Sequence, residues 1–256
     1  MAGLAAPPSP LLERLACPAC GTGLLALEGA IECPACKARF AETEGVLDLR
    51  LPEARAKPEF ADWTEHWSGA KQQSLPQRFF SLYRRAVFAR TVAWFIERYF
   101  PAAGVFVEAG SGTAETSMRI SKHGGQRTLV AVDLVLPVVT RCHPIMDVRL
   151  AADIFRLPFA TGSIDGIWNV GVMEHFTHDL IDELLLEFRR VLRPARRCSC
   201  SGLRGIRCRR KSSGPSSRWS TGPEAPPPFA SILRKSPSCA RPSKRARCSV
   251  APASSP

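Results

Sequence analysis

Two near-identical units, Cys17-Pro-Ala-Cys20 and Cys33-Pro-Ala-Cys36, stand 12 residues apart. Each Cys-x-x-Cys turn brings two thiolates within reach of one ion. Two such turns facing each other across a short hairpin complete a tetrahedral sulfur site suited to Zn2+. Gly21, Gly23 and Gly29 offer the tight turns this needs. A segment this small has no core of its own, so the metal would supply much of its folding free energy. A redox dithiol or a pair of disulfides uses the same spacing. The near-duplication, in a chain whose first residues lack a basic start and a long apolar run, favours zinc.

A second group of chemically capable residues follows. Val105-Phe-Val-Glu108-Ala-Gly110-Ser-Gly112-Thr-Ala114 reads as a strand entering a glycine bend and then a helix. Glycine at 110 and 112 lets the backbone turn sharply and lets a ligand approach main-chain amides. The third glycine of a dinucleotide fingerprint is missing, because position 115 is Glu115. Glu108 would also repel a pyrophosphate, whereas it suits a cationic sulfonium or ammonium group. The next strand, Leu129-Val-Ala-Val-Asp133, ends in an acid placed to accept hydrogen bonds from both ribose hydroxyls. A third acid lies in Asp153-Ile154-Phe-Arg-Leu-Pro-Phe159, followed by Ser163-Ile-Asp165-Gly-Ile-Trp-Asn169 and Glu174-His175-Phe176.

Each of these residues also has an ordinary structural use. An Asp that ends a strand commonly forms a turn or caps a helix. Asp165 reads as a residue that sets the turn into its strand. Glu174 and His175 suit packing or capping as well as acid/base work. His66, between Trp63 and Trp67, fits a plain helix face, and Cys142 a buried small residue. No side chain is assigned a catalytic role.

The elements that must hold these groups show in the hydrophobic pattern. Leu82, Ala86, Ala89, Ala93, Ile96 and Phe100 recur at helical spacing, and Pro101 and Gly104 end that helix. Strands are expected at 105–107, 129–132, 148–151 and 164–170. A helix is expected over 180–192, with Leu184, Leu185, Phe188, Val191 and Leu192 on one side. Strands alternating with helices predict an α/β fold with a doubly wound parallel sheet.

Composition narrows the classes further. The 256 residues are 45% hydrophobic and 23% charged, and no uncharged apolar run approaches the length of a membrane helix. These features point to a cytoplasmic protein. The net charge of +12 is misleading, because residues 195–256 carry 14 bases and one acid, leaving 21 bases against 22 acids before them. The near-neutral part gives little support to a large nucleic-acid face. Residues 195–256 also hold only six Leu, Ile, Val or Phe. This basic Arg/Ser/Pro-rich segment is expected to be disordered or translated out of frame.

These strings together resemble a known family. Glu-Ala-Gly-Ser-Gly-Thr at 108–113, the Asp133 strand end, Asp-Ile-x-x-Leu-Pro-Phe at 153–159, Ser-Ile-Asp, Glu-His-Phe and Phe188-Arg-Arg-Val-Leu-Arg-Pro194 are similar in order and spacing to class I S-adenosylmethionine-dependent methyltransferases, type 11 group. The resemblance implies a Rossmann-like sheet over 101–194. It implies that Glu108, Gly110 and Gly112 border the methionine part of the cofactor, that Asp133 holds the ribose, and that Asp153 and Ile154 meet the adenine. Asn169 would lie beside the transferred methyl. Residues 11–50, with Leu-Leu-Glu-Arg-Leu-Ala before Cys17 and Gly45-Val-Leu-Asp-Leu49 after the second cysteine unit, resemble the zinc ribbons of methyltransferase activator subunits. Residues 53–100 would then be a helical linker and first helix. In the family a fifth apolar strand follows the Arg-Pro motif, and here that pattern stops. Strands five to seven are therefore expected to be missing, leaving the fourth strand as an open edge. The methyl acceptor is left open between a small molecule, a lipid and RNA. A non-catalytic ribbon adaptor that binds RNA or a partner enzyme is the alternative.

Overall fold

A computed structural model of the protein describes residues 9–27, 30–56, 63–65 and 82–201, which belong to one compact unit. Nine strands make a single sheet: β1 (Leu25–Leu27), β2 (Ala30–Glu32), β3 (Arg39–Thr43), β4 (Val46–Asp48), β5 (Gly104–Ala109), β6 (Arg127–Asp133), β7 (Val148–Ala151), β8 (Ile164–Val170) and β9 (Leu192–Ser201). Their order is β1-β2-β3-β4-β7-β6-β5-β8-β9. The first four pair antiparallel, and every pair from β4 onward is parallel. The parallel part reverses direction of winding between β5 and β8, and a crevice opens beyond the strand ends at such a point.

Alternation along β5 sorts the core. Val105, Val107 and Ala109 face one layer, shared with Leu184, Leu185 and Phe188 of helix α2 (His178–Val191). Phe106 faces the other, with Val92 and Ile96 of helix α1 (Ala89–Tyr99), Leu129 and Trp168. The strands expected at 148–151 and 164–170 form there.

Four relationships go beyond the sequence reading. The N-terminal ribbon joins the main sheet. β4 extends the parallel sheet, with Leu47 opposite Leu150 and Asp48 opposite Ala151, and Leu49 donates its N–H to the Ala151 carbonyl at 2.8 Å. Leu11, Leu15, Leu24, Ile31, Phe40 and Leu49 belong to the same core as Val130 and Leu150.

Second, β8, the strand expected to be left as an open edge, is not one. β9 pairs with it from Ile164–Leu192 to Val170–Ser201, so the strand expected to be missing after β8 is present and residues 195–201 belong to it. The sequence hid this because a strand ladder is made by backbone groups, which an Arg- and Ser-rich segment also supplies. No strand follows β9 among the described residues.

Third, the helix expected after the glycine bend is a three-residue turn, Glu115–Ser117.

Fourth, the first helix buries Ala89, Val92 and Ile96, while Leu82 is 63% exposed. A wide turn at Arg84–Phe88 inserts one extra residue and rotates everything before it off the buried stripe. Helix α2 matches its expected face through Leu184, Leu185, Phe188 and Val191, but Leu192 begins β9 instead. Gly29, the parts of the expected linker at 57–62 and 66–81 (with His66 and Trp67), and residues 202–256 lie outside the described residues.

Candidate functional site

The cysteine units fold into two matching knuckles. Gly21 donates its N–H to the Cys17 carbonyl at 2.8 Å, and Lys37 does the same to Cys33 at 3.0 Å. The residue after each second cysteine is left-handed, Gly21 at φ +77° and Lys37 at φ +61°. The β1–β2 hairpin between the knuckles brings the four Sγ atoms within 4.8 Å of one another. Cys17 and Cys36 are 3.6 Å apart, and Cys20 and Cys33 3.4 Å. A tetrahedral Zn2+ with sulfur ligands at about 2.3 Å requires sulfurs about 3.8 Å apart. The set therefore fits zinc, and the thiols are not joined as disulfides. Burial pushes the Cys17 thiol up to about 12, and hydrogen bonding with Thr22 draws Cys20 down to about 6.

The second group gathers at the C-terminal ends of the parallel strands. Ala109 lies opposite Val132, and Asp133 opposite Ala151, so the glycine bend, Asp133 and Asp153 sit side by side. Gly110, at φ +69°, passes so close to Val172 that a Cβ would lie 2.6 Å from its Cγ2. Beyond it, Gly112 donates its N–H to Asp133 Oδ2 at 2.8 Å, and Val135 donates to Oδ1 at 3.0 Å. Burial raises the Asp133 pKa above the ordinary aspartate range, and the amides of Val135, Gly112 and Leu134 hold back part of the rise. Asp153 accepts the Phe155 N–H at 2.9 Å and caps the turn Ile154–Arg156, with Ile154 buried. Asn169 is buried near the end of β8.

Glu108 faces the α1 layer and is 1% exposed. It accepts hydrogen bonds from Ser117 Oγ at 2.7 Å and Thr116 Oγ1 at 3.2 Å, and Ser117 in turn accepts from Trp168 Nε1 at 3.2 Å. These contacts fix the short turn after the glycine bend onto β5 and β8. Thr116, Ser117 and Arg50 were passed over in the sequence. The adjacent Thr-Ser pair behind a buried acid was a usable signal, while Arg50 carried none. Asp165 is a structural clamp, as expected. Its carboxylate takes the Val105 N–H, Arg14 and Arg193. His175 is exposed and meets Trp63 edge-on, with ring centroids 4.7 Å apart. Cys142 is buried.

Two features depart from a dinucleotide fingerprint: position 115 is Glu115 in place of the third glycine, and the one-turn helix after the bend offers no anion-binding terminus.

Several solved structures are similar to the chain. Similar solved structures include a proposed S-adenosyl-L-methionine-dependent methyltransferase from Methanococcus maripaludis, at 18% identity over 49% of this chain and 61% of that one, TM-score 0.39. Another is a geranyl diphosphate C-methyltransferase from Streptomyces coelicolor, at 15% identity over 57% and 64%, TM-score 0.42. A complex of a methyltransferase activator with a methyltransferase from Haloferax volcanii matches at 18% identity over 47% and 58%, TM-score 0.35. The chain thus spans about three fifths of the length of the first of these. None of the curated proteins compared with the chain matches it. Among the described residues, no helix is long and apolar enough to cross a membrane. A family model described as a methyltransferase domain matches residues 106–195, the stretch from β5 into β9.

Proposed function

We propose that the protein transfers a methyl group from S-adenosyl-L-methionine to an acceptor whose identity is open. The observation that carries this reading is the Asp133 carboxylate, set beside the Gly110–Gly112 bend and fixed by the Gly112 and Val135 amides. Asp133 would accept the ribose hydroxyls, Asp153 and Ile154 would meet the adenine, and Gly110 and Gly112 would let the methionine part approach the backbone. Glu108 would act through the turn it anchors, because its carboxylate is committed to Thr116 and Ser117. Asn169 would border the methyl group. When bound, the cofactor supplies an electrophilic methyl on sulfur. The chain's own task is to hold that methyl in line with the acceptor atom and to keep water away.

The cysteine set would hold one Zn2+ in a structural role, since all four ligand positions are filled by sulfur. The acceptor is a small molecule, a lipid or RNA, and the setting is cytoplasmic. Calorimetric titration with S-adenosyl-L-homocysteine tests the reading. Binding near one per chain is expected, weakened at least about tenfold by Asp133→Ala. A folded, zinc-loaded chain that takes up none overturns it.

A further inference from the structure

Arg50 lies just past the last ribbon strand, and its side chain is only 8% exposed. Its guanidinium grips Asp48 with both forks, Nε to Oδ1 at 2.8 Å and Nη2 to Oδ2 at 2.7 Å. Arg55 adds a third cationic contact on Oδ2 at 3.0 Å. Burial alone would lift Asp48, and these hydrogen bonds and charges instead bring its carboxyl below the ordinary range, so the pair is ionised at neutral pH. One guanidinium nitrogen remains directed elsewhere. Nη1 donates to the carbonyl of Leu134 at 3.2 Å, 84 positions along the chain.

Leu134 directly follows Asp133. Its carbonyl and the Val135 N–H belong to one rigid peptide plane and point in opposite directions. Arg50 holds the oxygen side of that plane, and Asp133 Oδ1 receives the nitrogen side at 3.0 Å. Turning the plane would break both bonds together. The neighbouring backbone repeats the link, since Leu49 donates to Ala151 O and Ala152 to Asp133 O.

We propose that Arg50 is a positioning residue for cofactor binding: through the Leu134–Val135 peptide plane, the ribbon sets the orientation of the Asp133 carboxylate. This inference rests on the methyltransferase reading given above. It makes the ribbon part of the nucleoside site in addition to covering the β7 edge. Arg is required, because a lysine ammonium beside Asp48 lacks a rigid fork able to reach Leu134 as well.

The test uses Arg50→Lys in the full chain, which keeps a cation against Asp48. Calorimetry with S-adenosyl-L-homocysteine is combined with zinc content, thermal midpoint and amide hydrogen exchange. The expected result is about tenfold weaker binding, faster exchange at the Val135 amide, and unchanged protection at Leu129, whose N–H is held by Asp147 on the far side of the sheet. Arg50→Ala should give the same pattern more strongly. Unchanged affinity overturns the proposal. So does a loss of affinity that comes with falling zinc content and a general loss of protection, because Arg50 would then only fasten the ribbon down. A wild-type chain that does not bind the ligand refutes the methyltransferase reading, and Val135 exchange then decides separately whether Arg50 holds the plane.

Discussion

Arg14, in the segment leading into the first cysteine knuckle, donates Nη1 to Asp165 Oδ2 at 3.0 Å across 151 positions of sequence. The same carboxylate is 2% exposed and also receives Arg193 from β9 and the N–H of Val105 from β5. One buried anion therefore ties together the ribbon, β5 and β9. Asp165→Asn removes the charge and leaves Arg14 and Arg193 uncompensated. Both arginines are partly exposed, so the cost is moderated, and a loss of about 2–3 kcal/mol is expected. Urea denaturation with zinc present measures it, and a loss under about 0.5 kcal/mol would contradict the clamp.

Metal removal should act on more than the ribbon. Leu15, Ile31, Phe40 and Leu49 share a core with Val130 and Leu150, and β4 is hydrogen-bonded to β7. Chelation is expected to lower a single thermal transition by about 10 °C or more. Cys33→Ser should reproduce the shift and lose the metal. Two separate transitions in calorimetry would show instead that the ribbon melts alone.

The two knuckles predict opposite responses to matched substitutions. Lys37 is exposed and left-handed at φ +61°, a conformation that costs a residue with a Cβ about 1 kcal/mol. Lys37→Gly is expected to raise the thermal midpoint by about 2–4 °C. At Gly21 a Cβ would meet open space, so Gly21→Ala should cost only the conformational term, again about 1 kcal/mol. Scanning calorimetry of the zinc-loaded proteins checks both signs.

Proton linkage at Asp133 has two faces. Its raised pKa means that the folded chain holds the proton more tightly than the unfolded one, so ionisation of Asp133 lowers stability as pH rises through the ordinary range near about 4 and up to the raised value. In the proposed function ligand binding runs the other way, because ribose hydroxyls would donate to the anion. Affinity for S-adenosyl-L-homocysteine should fall as pH drops, beginning above the pH at which an ordinary aspartate titrates. Asp133→Asn should bind weakly with a flatter profile. Titrations at several pH values between 8 and 5, with zinc content checked at each, provide the test.

The legible parts of the protein were those whose chemistry is local. Four cysteines at fixed spacing specify a sulfur cluster because each knuckle closes within five residues. Runs such as Val148–Ala151 and Ile164–Val170 specify buried strands because both faces of a parallel strand are covered. Asp133 stood out because a strand end followed by an acid is a sequence pattern in itself. β9 was hidden because its pairing is carried by backbone atoms. Leu82 was misplaced because one extra residue in the turn at Arg84–Phe88 shifts helical phase without leaving a mark in composition.

Sequence by itself thus determined the sulfur ligands, the parallel strands and the acid that ends β6, since each depends on residues close along the chain. Only the tertiary structure decided that the ribbon joins the sheet at β7, that Glu108 turns inward to Thr116 and Ser117, and that Arg50 reaches the peptide next to Asp133. Those relationships join positions up to 103 residues apart, as Leu47 and Leu150 are, and depend on strand order and on which face each side chain takes. No local pattern encodes either one, because the same residues would satisfy several sheet orders until the core closes around one.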